Sequence, residues 1–155
     1  MRIQETTAMS EHHAYRTQVQ WSTQRKGKLS SAGFPTIEIA TPPDFPGGHA
    51  GIWSPEHLFV GAAEICLMTT FLSLAEKTKL DFHNYVSEAE GILEKAEGGL
   101  QITKISIRPS IVVATSEDTD KALKLIEKAE RYCLISNSMK TEVSIEPTVT
   151  VLKEN

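Results

Sequence analysis

The two cysteines of this 155-residue chain, Cys66 and Cys133, are the residues best suited to covalent chemistry. A thiolate is a strong nucleophile, whereas a neutral buried thiol packs like a small apolar side chain. Two thiols can also form a disulfide if their Cα atoms come within roughly 4.4–6.8 Å of each other. The pair therefore indicates either redox chemistry or two inert core residues.

Each cysteine falls on the apolar face of a predicted helix. The segment WSPEHLFVGAAEICLMTTFLSLAEK predicts a helix from Ser54 to about Thr78, because Ser, Pro and Glu in this order are typical of a helix start. Cys66 lies too far along this helix for its dipole to stabilise a thiolate, so a neighbouring cation is needed. Cys133 ends a second predicted helix, residues 118–133, where the dipole disfavours a thiolate. If one cysteine attacks and the other resolves, Cys66 is the attacking one.

The remaining segments predict an α+β fold with mainly antiparallel pairing. We expect strands at about 15–22, 28–33 and 36–40, a Pro- and Gly-rich loop over 41–51, and a long strand over about 81–95. Its return strand covers about 100–115 with a bulge near Thr103, and a last strand carries Val143, Ile145, Val149 and Val151 inward. Pro147 is expected to place that last strand at an edge or a bulge. Residues 1–14 are predicted to be an N-terminal arm, and residues 15–155 a single domain.

The helix that carries Cys66 is apolar almost all the way round. One small sheet covers only one side of such a helix, so burial alone predicts that a second subunit covers the other side in a homodimer. Glu64 and several hydroxyl residues interrupt the apolar run, which argues against a membrane span. Glu64 points roughly 160° away from Cys66 on the helix and is expected to be a paired structural acid.

Composition and charge exclude several classes of function. A net charge of −4 without a basic stripe argues against nucleic-acid binding. Apolar residues at 40% and charged residues at 23% are typical of a soluble globular protein. The first dozen residues lack the apolar core of a signal peptide, so a reducing cytoplasm is the expected location. The chain has no close ligand pairs of the zinc-site type, so no metal is expected.

The segment WSPEHLFVGAAEIC, followed 67 residues after Cys66 by KAERYCLISNS, resembles the OsmC/Ohr family of thiol-dependent hydroperoxide reductases. The resemblance covers most of the chain, from about residue 15 to the end. It implies an intertwined homodimer with the long helices buried centrally and a site at each subunit boundary. By position, it implies that Cys66 is the peroxidatic cysteine, that Cys133 is the resolving cysteine, and that Glu56 orients an arginine.

Arg25 is the best match for that arginine, with Lys26 and Lys28 beside it in sequence. The chemistry that the resemblance implies is that of an antioxidant oxidoreductase of the stress response, acting on organic hydroperoxides. Arg25 stabilises the Cys66 thiolate, the thiolate attacks the peroxide to give a sulfenic acid, and Cys133 condenses with it to a disulfide. An external dithiol restores the pair, without metal or tightly bound organic cofactor. The expected partners are the hydroperoxide, the dithiol and a second copy of the chain, and neither nucleic acid nor membrane.

Two features of the sequence complicate this interpretation. Ten residues of continuous helix span about 15 Å, so Glu56 and Cys66 can share one arginine only if the helix breaks, for instance near Gly61, or if one group comes from the other subunit. Leu134 follows Cys133 where many members of the family have Pro. The alternative is a non-enzymatic binding or carrier protein for an apolar or sulfur-containing small molecule on the same dimeric scaffold.

Overall fold

The computed structural model describes residues 12–154, so most of the predicted N-terminal arm lies outside the described residues. The chain divides into two compact units, one that ends at Trp53 and one that begins at Ser54. In its described part, the first unit holds three strands: β1 (Gln18–Thr23), β2 (Lys26–Ser30) and β3 (Ile37–Ala40). They form one antiparallel sheet with β2 at its centre.

Strand β1 differs from its prediction. It begins at Gln18 rather than near residue 15, and all of its residues are exposed, including Trp21 at 72%. The expectation that β1 is half-buried is therefore wrong. Alternation of polar and apolar residues indicates a strand, but burial also needs a layer that covers one face, and the described part of this unit consists of one sheet without a helix.

The second unit contains the elements that position the cysteines. Helix α1 (Pro55–Thr78) is followed by strands β4 (Phe82–Ala96) and β5 (Gly99–Val113), helix α2 (Asp118–Tyr132), and a single turn, α3 (Leu134–Asn137). Two short strands, β6 (Glu142–Ile145) and β7 (Thr148–Val151), complete the unit. Ser54 caps α1 as predicted, because its hydroxyl accepts a hydrogen bond from the backbone N–H of His57 at 3.1 Å.

Strands β4 and β5 form a long antiparallel hairpin that turns at Gly98, where φ is +91°. The predicted bulge is confirmed: Ile92 pairs with Lys104 and Leu93 pairs with Ile102, so Thr103 has no partner in the register. The extra residue restores the inward phase of the apolar side chains that follow on β5. Ile105, Ile107, Ile111 and Val113 are fully buried.

The end of the chain forms two strands rather than one. Both β6 and β7 pair with β5 in parallel, and Pro147 lies in the gap between them. Proline has no N–H to donate, so the interruption at this edge agrees with its predicted effect. Val143, Ile145 and Val149 pack against the core as predicted. Val151 does not, since it is 39% exposed at the end of β7.

The core of the second unit lies between α1, α2 and β5. Four residues of α1 contribute, namely Ala63, Leu67, Phe71 and Ala75, and four of α2, namely Ala122, Leu125, Ile126 and Ala129. This arrangement confirms the α+β prediction with two main helices and mainly antiparallel sheets. On the opposite face of α1, Ile65 is 60% exposed. By length and composition α1 could cross a membrane, a test that core helices of soluble proteins also pass.

Candidate active site

Cys66 lies near the middle of α1, beside the face that packs into the core. It is a free thiol with 9% of its surface exposed, and its sulfur lies 3.9 Å from the hydroxyl of Thr70, one turn further along the helix. Cys66 therefore combines an apolar environment with limited access from solvent.

Cys133 lies at the junction of α2 and α3, where its own backbone ends one helix and begins the next. It is a free thiol and is 1% exposed. Its sulfur lies 4.0 Å from the carbonyl oxygen of Ala63, three residues before Cys66 on α1, and it accepts a hydrogen bond from the Ser136 hydroxyl at 3.2 Å. Burial raises the pKa of the Cys133 thiol, the two donors of Ser136 oppose that rise, and the nearby Cys66 thiol adds to it.

The structure therefore brings together the two cysteines that the sequence singled out. They are close enough for Cys66 to act on the titration of Cys133, although each comes from a different helix. Two neighbouring thiols can form a disulfide when one of them is oxidised. Cys66 is the more exposed residue of the two, at 9% against 1%.

Glu56 lies in the first turn of α1, where an acid also complements the helix dipole. One of its carboxylate oxygens is buried and, among the described residues, has no hydrogen-bond partner. Such an orphaned oxygen is costly, so a donor is expected to reach it. Helix α1 continues through Gly61 without a break, so Glu56 and Cys66 are about 15 Å apart along it. The helix break considered as one alternative is absent.

Arg25 belongs to the first unit, whereas Cys66, Cys133 and Glu56 belong to the second. It lies in the turn between β1 and β2 and is exposed. Its side chain lies against Gly47: if residue 47 had a Cβ, that atom would be 3.0 Å from the arginine Nε. Lys26 differs from it in having an ion pair with Glu38 at 3.6 Å. Arg25 has no ion pair among the described residues. Its role beside the thiolate stays a prediction.

A cavity of about 500 Å³ opens within the second unit beside Glu56. Its apolar lining residues are Pro55, Phe59, Leu93, Leu100, Ile102 and Met139. The two cysteines do not line it. Glu56 therefore lines a mainly apolar cleft that is separate from the thiol pair.

Glu64 is a paired acid, as predicted. It lies on α1, and its carboxylate accepts a hydrogen bond of 2.6 Å from the Ser87 hydroxyl on β4. The hydroxyl of Tyr85 is buried close to this pair. Burial raises the pKa of Tyr85 to about 12, Ser87 opposes the rise, and the Glu64 carboxylate adds to it.

This environment predicts a dependence of stability on alkaline pH. The folded chain holds the Tyr85 proton more tightly than the unfolded chain does, so the unfolded state loses its proton first above about pH 10. The free energy of unfolding should then fall as the pH rises from about 10 to about 12. Tyr85→Phe should show a shallower fall over this range, measured by urea unfolding at a series of pH values.

The matched control is Tyr132→Phe, at a tyrosine that is 64% exposed. We expect this variant to keep the slope of the wild-type chain, because the side chain that it alters is not buried by folding. Equal slopes in wild type and Tyr85→Phe would show that burial of Tyr85 does not govern its proton.

Sequence reasoning missed Ser136, which donates its hydroxyl hydrogen to the Cys133 sulfur. A signal was present, because Ser136 follows Cys133 by three residues. This is the spacing between the residue that caps a helix and the third residue of its first turn, whose side chains often meet. Cysteine is not a common cap, so the pattern is easily overlooked.

Comparisons with known proteins agree with this architecture. The family model for OsmC-like proteins matches residues 48–148, which include Glu56 and both cysteines. A protein of Bacillus subtilis strain 168, the uncharacterized protein YmaD, is 30% identical over 148 residues, which cover 92% of this chain and 97% of that protein.

Solved structures share the fold over nearly the whole chain. An OsmC-like protein of unknown function from Vibrio cholerae is 29% identical with a TM-score of 0.81, covering 88% of this chain and 99% of that one. An organic hydroperoxide resistance protein from Elizabethkingia anophelis is 21% identical with a TM-score of 0.69, covering 92% of this chain and 100% of that one. Another organic hydroperoxide resistance protein, from Legionella pneumophila, is 22% identical with a TM-score of 0.65, and the match covers 90% of this chain and 99% of that one. The family model and the identity to the B. subtilis protein together show that this chain belongs to the OsmC-like protein family.

Proposed function

We propose that this protein is a thiol-dependent peroxidase that reduces organic hydroperoxides, with Cys66 as the peroxidatic cysteine and Cys133 as the resolving cysteine. The observation that carries the proposal is the meeting of two free, buried thiols from different helices in a chain of the OsmC-like family. Two proteins of similar fold, from Elizabethkingia anophelis and Legionella pneumophila, are organic hydroperoxide resistance proteins, which points to the substrate class.

The chemistry begins with the thiolate of Cys66. Its sulfur attacks the distal, hydroxyl-bearing oxygen of the peroxide, and the O–O bond breaks. The alkoxide takes up a proton and leaves as an alcohol, and Cys66 becomes a sulfenic acid. Cys133 then displaces the hydroxyl as water, and a disulfide forms. An external dithiol reduces this disulfide. The cycle needs no metal or bound organic cofactor, and it suits a reducing cytoplasm that keeps both thiols free between turnovers.

Arg25 and Glu56 complete the proposed machinery. A buried thiolate needs a nearby cation. A buried carboxylate oxygen that accepts no hydrogen bond needs a hydrogen-bond donor. Arg25, which lacks an ion pair among the described residues, can satisfy both needs with its five N–H donors. Because α1 is unbroken between Glu56 and Cys66, we propose that the site is shared, with one group supplied by a second subunit.

The test supplies cumene hydroperoxide to the reduced protein. With a dithiol present, peroxide consumption should continue over many turnovers. Without a dithiol, one equivalent should be consumed, and peptide mapping should find Cys66 linked to Cys133. If both cysteines still react as free thiols after excess hydroperoxide, this function is wrong.

The homodimer in the proposal follows from the face of α1 that carries Ile65. Ile65 is 60% exposed, and Ala62, Met68 and Leu58, one and two turns away on the same face, are half-buried. A helix with this pattern in a folded protein is usually covered by another chain. A central helix that meets its copy also gives each site access to groups of the other subunit.

Ile65→Asp should convert the dimer to a monomer, because a carboxylate at the centre of an apolar interface is desolvated without a partner. Light scattering should find twice the chain mass for wild type and a single chain mass for this variant. The control is Leu152→Asp, at a leucine that is 47% exposed near the end of the chain, which should remain dimeric. A monomeric wild type would contradict the shared site.

A second candidate function rests on the cavity beside Glu56. Its volume of about 500 Å³ and its apolar lining suit a small amphipathic ligand held without turnover. A fluorescent apolar probe should then bind equally well to wild type and Cys66→Ser, and the protein should not consume hydroperoxide. Turnover of cumene hydroperoxide that depends on Cys66 excludes this candidate as the main function.

A further inference from the structure

The Cys133 sulfur has a polar partner of its own. The Ser136 hydroxyl donates to it at 3.2 Å, and the backbone N–H of Ser136 also favours its charged form. The thiol is 1% exposed, so water cannot substitute for these donors. In an apolar pocket, a hydrogen bond to a charged sulfur is worth more than one to a neutral thiol.

We propose that Ser136 is a positioning residue for this redox pair: its hydroxyl orients the Cys133 sulfur and stabilises the thiolate that Cys133 carries whenever the disulfide forms or breaks. This inference rests on the proposed function and extends it to the resolving step.

Both steps place a negative charge on Cys133. In resolution, the Cys133 thiolate attacks the sulfur of the Cys66 sulfenic acid, the S–S bond forms, the S–O bond breaks, and the hydroxide takes up a proton to leave as water. In reduction, a thiolate of the external dithiol attacks a disulfide sulfur. Cys66 is the accessible one, at 9% exposure against 1%, so Cys133 leaves with the electron pair. The second thiol of the reductant then frees Cys66, and the reductant becomes a disulfide.

The surroundings of Cys133 make Ser136 the main source of this stabilisation within the described second unit. Helix α1 presents the Cys66 thiol and the Ala63 carbonyl, and α2 presents the Glu130 carbonyl, which accepts from the Cys133 N–H at 3.4 Å. The carbonyl oxygens cannot donate a hydrogen bond to a thiolate, and the Cys66 thiol raises the pKa of Cys133. The donors that favour it come from Ser136 on α3. The turn beginning at Leu134 therefore supplies the Cys133 thiolate with donors.

A titration isolates this role from peroxide chemistry. In a Cys66→Ser background, with Cys133 as the remaining thiol, the ¹³Cβ signal of labelled cysteine reports its ionisation. Adding Ser136→Ala should move the titration midpoint upward by about one pH unit. Ser136→Thr keeps a hydroxyl and should hold the midpoint near its original value. Asn137→Ala is the control in the same turn, since the Asn137 amide donates to the Arg131 carbonyl at 3.0 Å and not to the sulfur.

The same substitutions in the otherwise unaltered chain test the redox consequence. A tenfold smaller thiolate fraction, offset by roughly threefold greater intrinsic nucleophilicity, should slow disulfide formation about threefold at neutral pH in Ser136→Ala. The rate at which hydroperoxide consumes the Cys66 thiol, measured by quenched thiol labelling, should not change. If hydroperoxide leaves wild type with neither a sulfenic acid nor a disulfide, the proposed function fails. The role of Ser136 is overturned if sulfenic acid forms but Ser136→Ala changes neither the titration midpoint nor the pH profile of disulfide formation. It is also overturned if Asn137→Ala shifts both as much as Ser136→Ala does.

Discussion

Cys66→Ser is expected to lower the rate of dithiol-supported hydroperoxide consumption by at least about 10³-fold, because a serine hydroxyl is not ionised at neutral pH and forms no sulfenic acid. The substitution changes one atom at a site that is 9% exposed, so the fold should be retained. The measurement is the initial rate with cumene hydroperoxide and excess dithiol, with circular dichroism to confirm folding.

Cys133→Ser is the matched control for this prediction. It removes the other buried thiol but leaves the attacking sulfur, so one equivalent of hydroperoxide per chain should still be consumed in the absence of dithiol. The product should be a persistent sulfenic acid on Cys66, trapped by dimedone. Equal loss of this first equivalent in both variants would contradict the assignment of attack to Cys66.

Phe71→Ala is expected to destabilise the protein by about 3–5 kcal/mol, the usual cost of truncating a buried phenylalanine. Phe71 is fully buried, and its ring centroid lies 5.6 Å from that of Phe82 and 5.5 Å from that of Tyr85. The substitution removes both ring contacts and leaves a cavity between α1 and β4. Urea unfolding followed by circular dichroism measures the free energy of unfolding.

Phe34→Ala is the corresponding control. The same atoms are removed at a phenylalanine that is 69% exposed in the first unit, so the change should stay within about 0.5 kcal/mol. A Phe71 variant as stable as the Phe34 variant would show that the packing between α1 and β4 contributes little to stability. Since α1 carries Cys66, that result would also weaken the view that a rigid core positions the thiol.

The sequence by itself determined both main helices, the long hairpin and the residues on which they depend. The cap at Ser54 predicted where α1 begins, the phase change around Thr103 predicted the bulge, and both cysteines were placed on apolar helix faces. These features follow from interactions between residues close together in the chain, and a period of 2 or 3.6 residues makes them visible in sequence.

Only the tertiary structure decided which distant groups meet. It showed that β6 and β7 pair with β5 in parallel, that Glu64 accepts from Ser87, and that Cys133 lies beside Ala63 and Cys66 of α1. It also showed Trp21 to be exposed, although a tryptophan in an alternating strand suggests core. Periodicity states which face of an element is apolar, but not what covers it, because burial and pairing depend on residues far away in the chain.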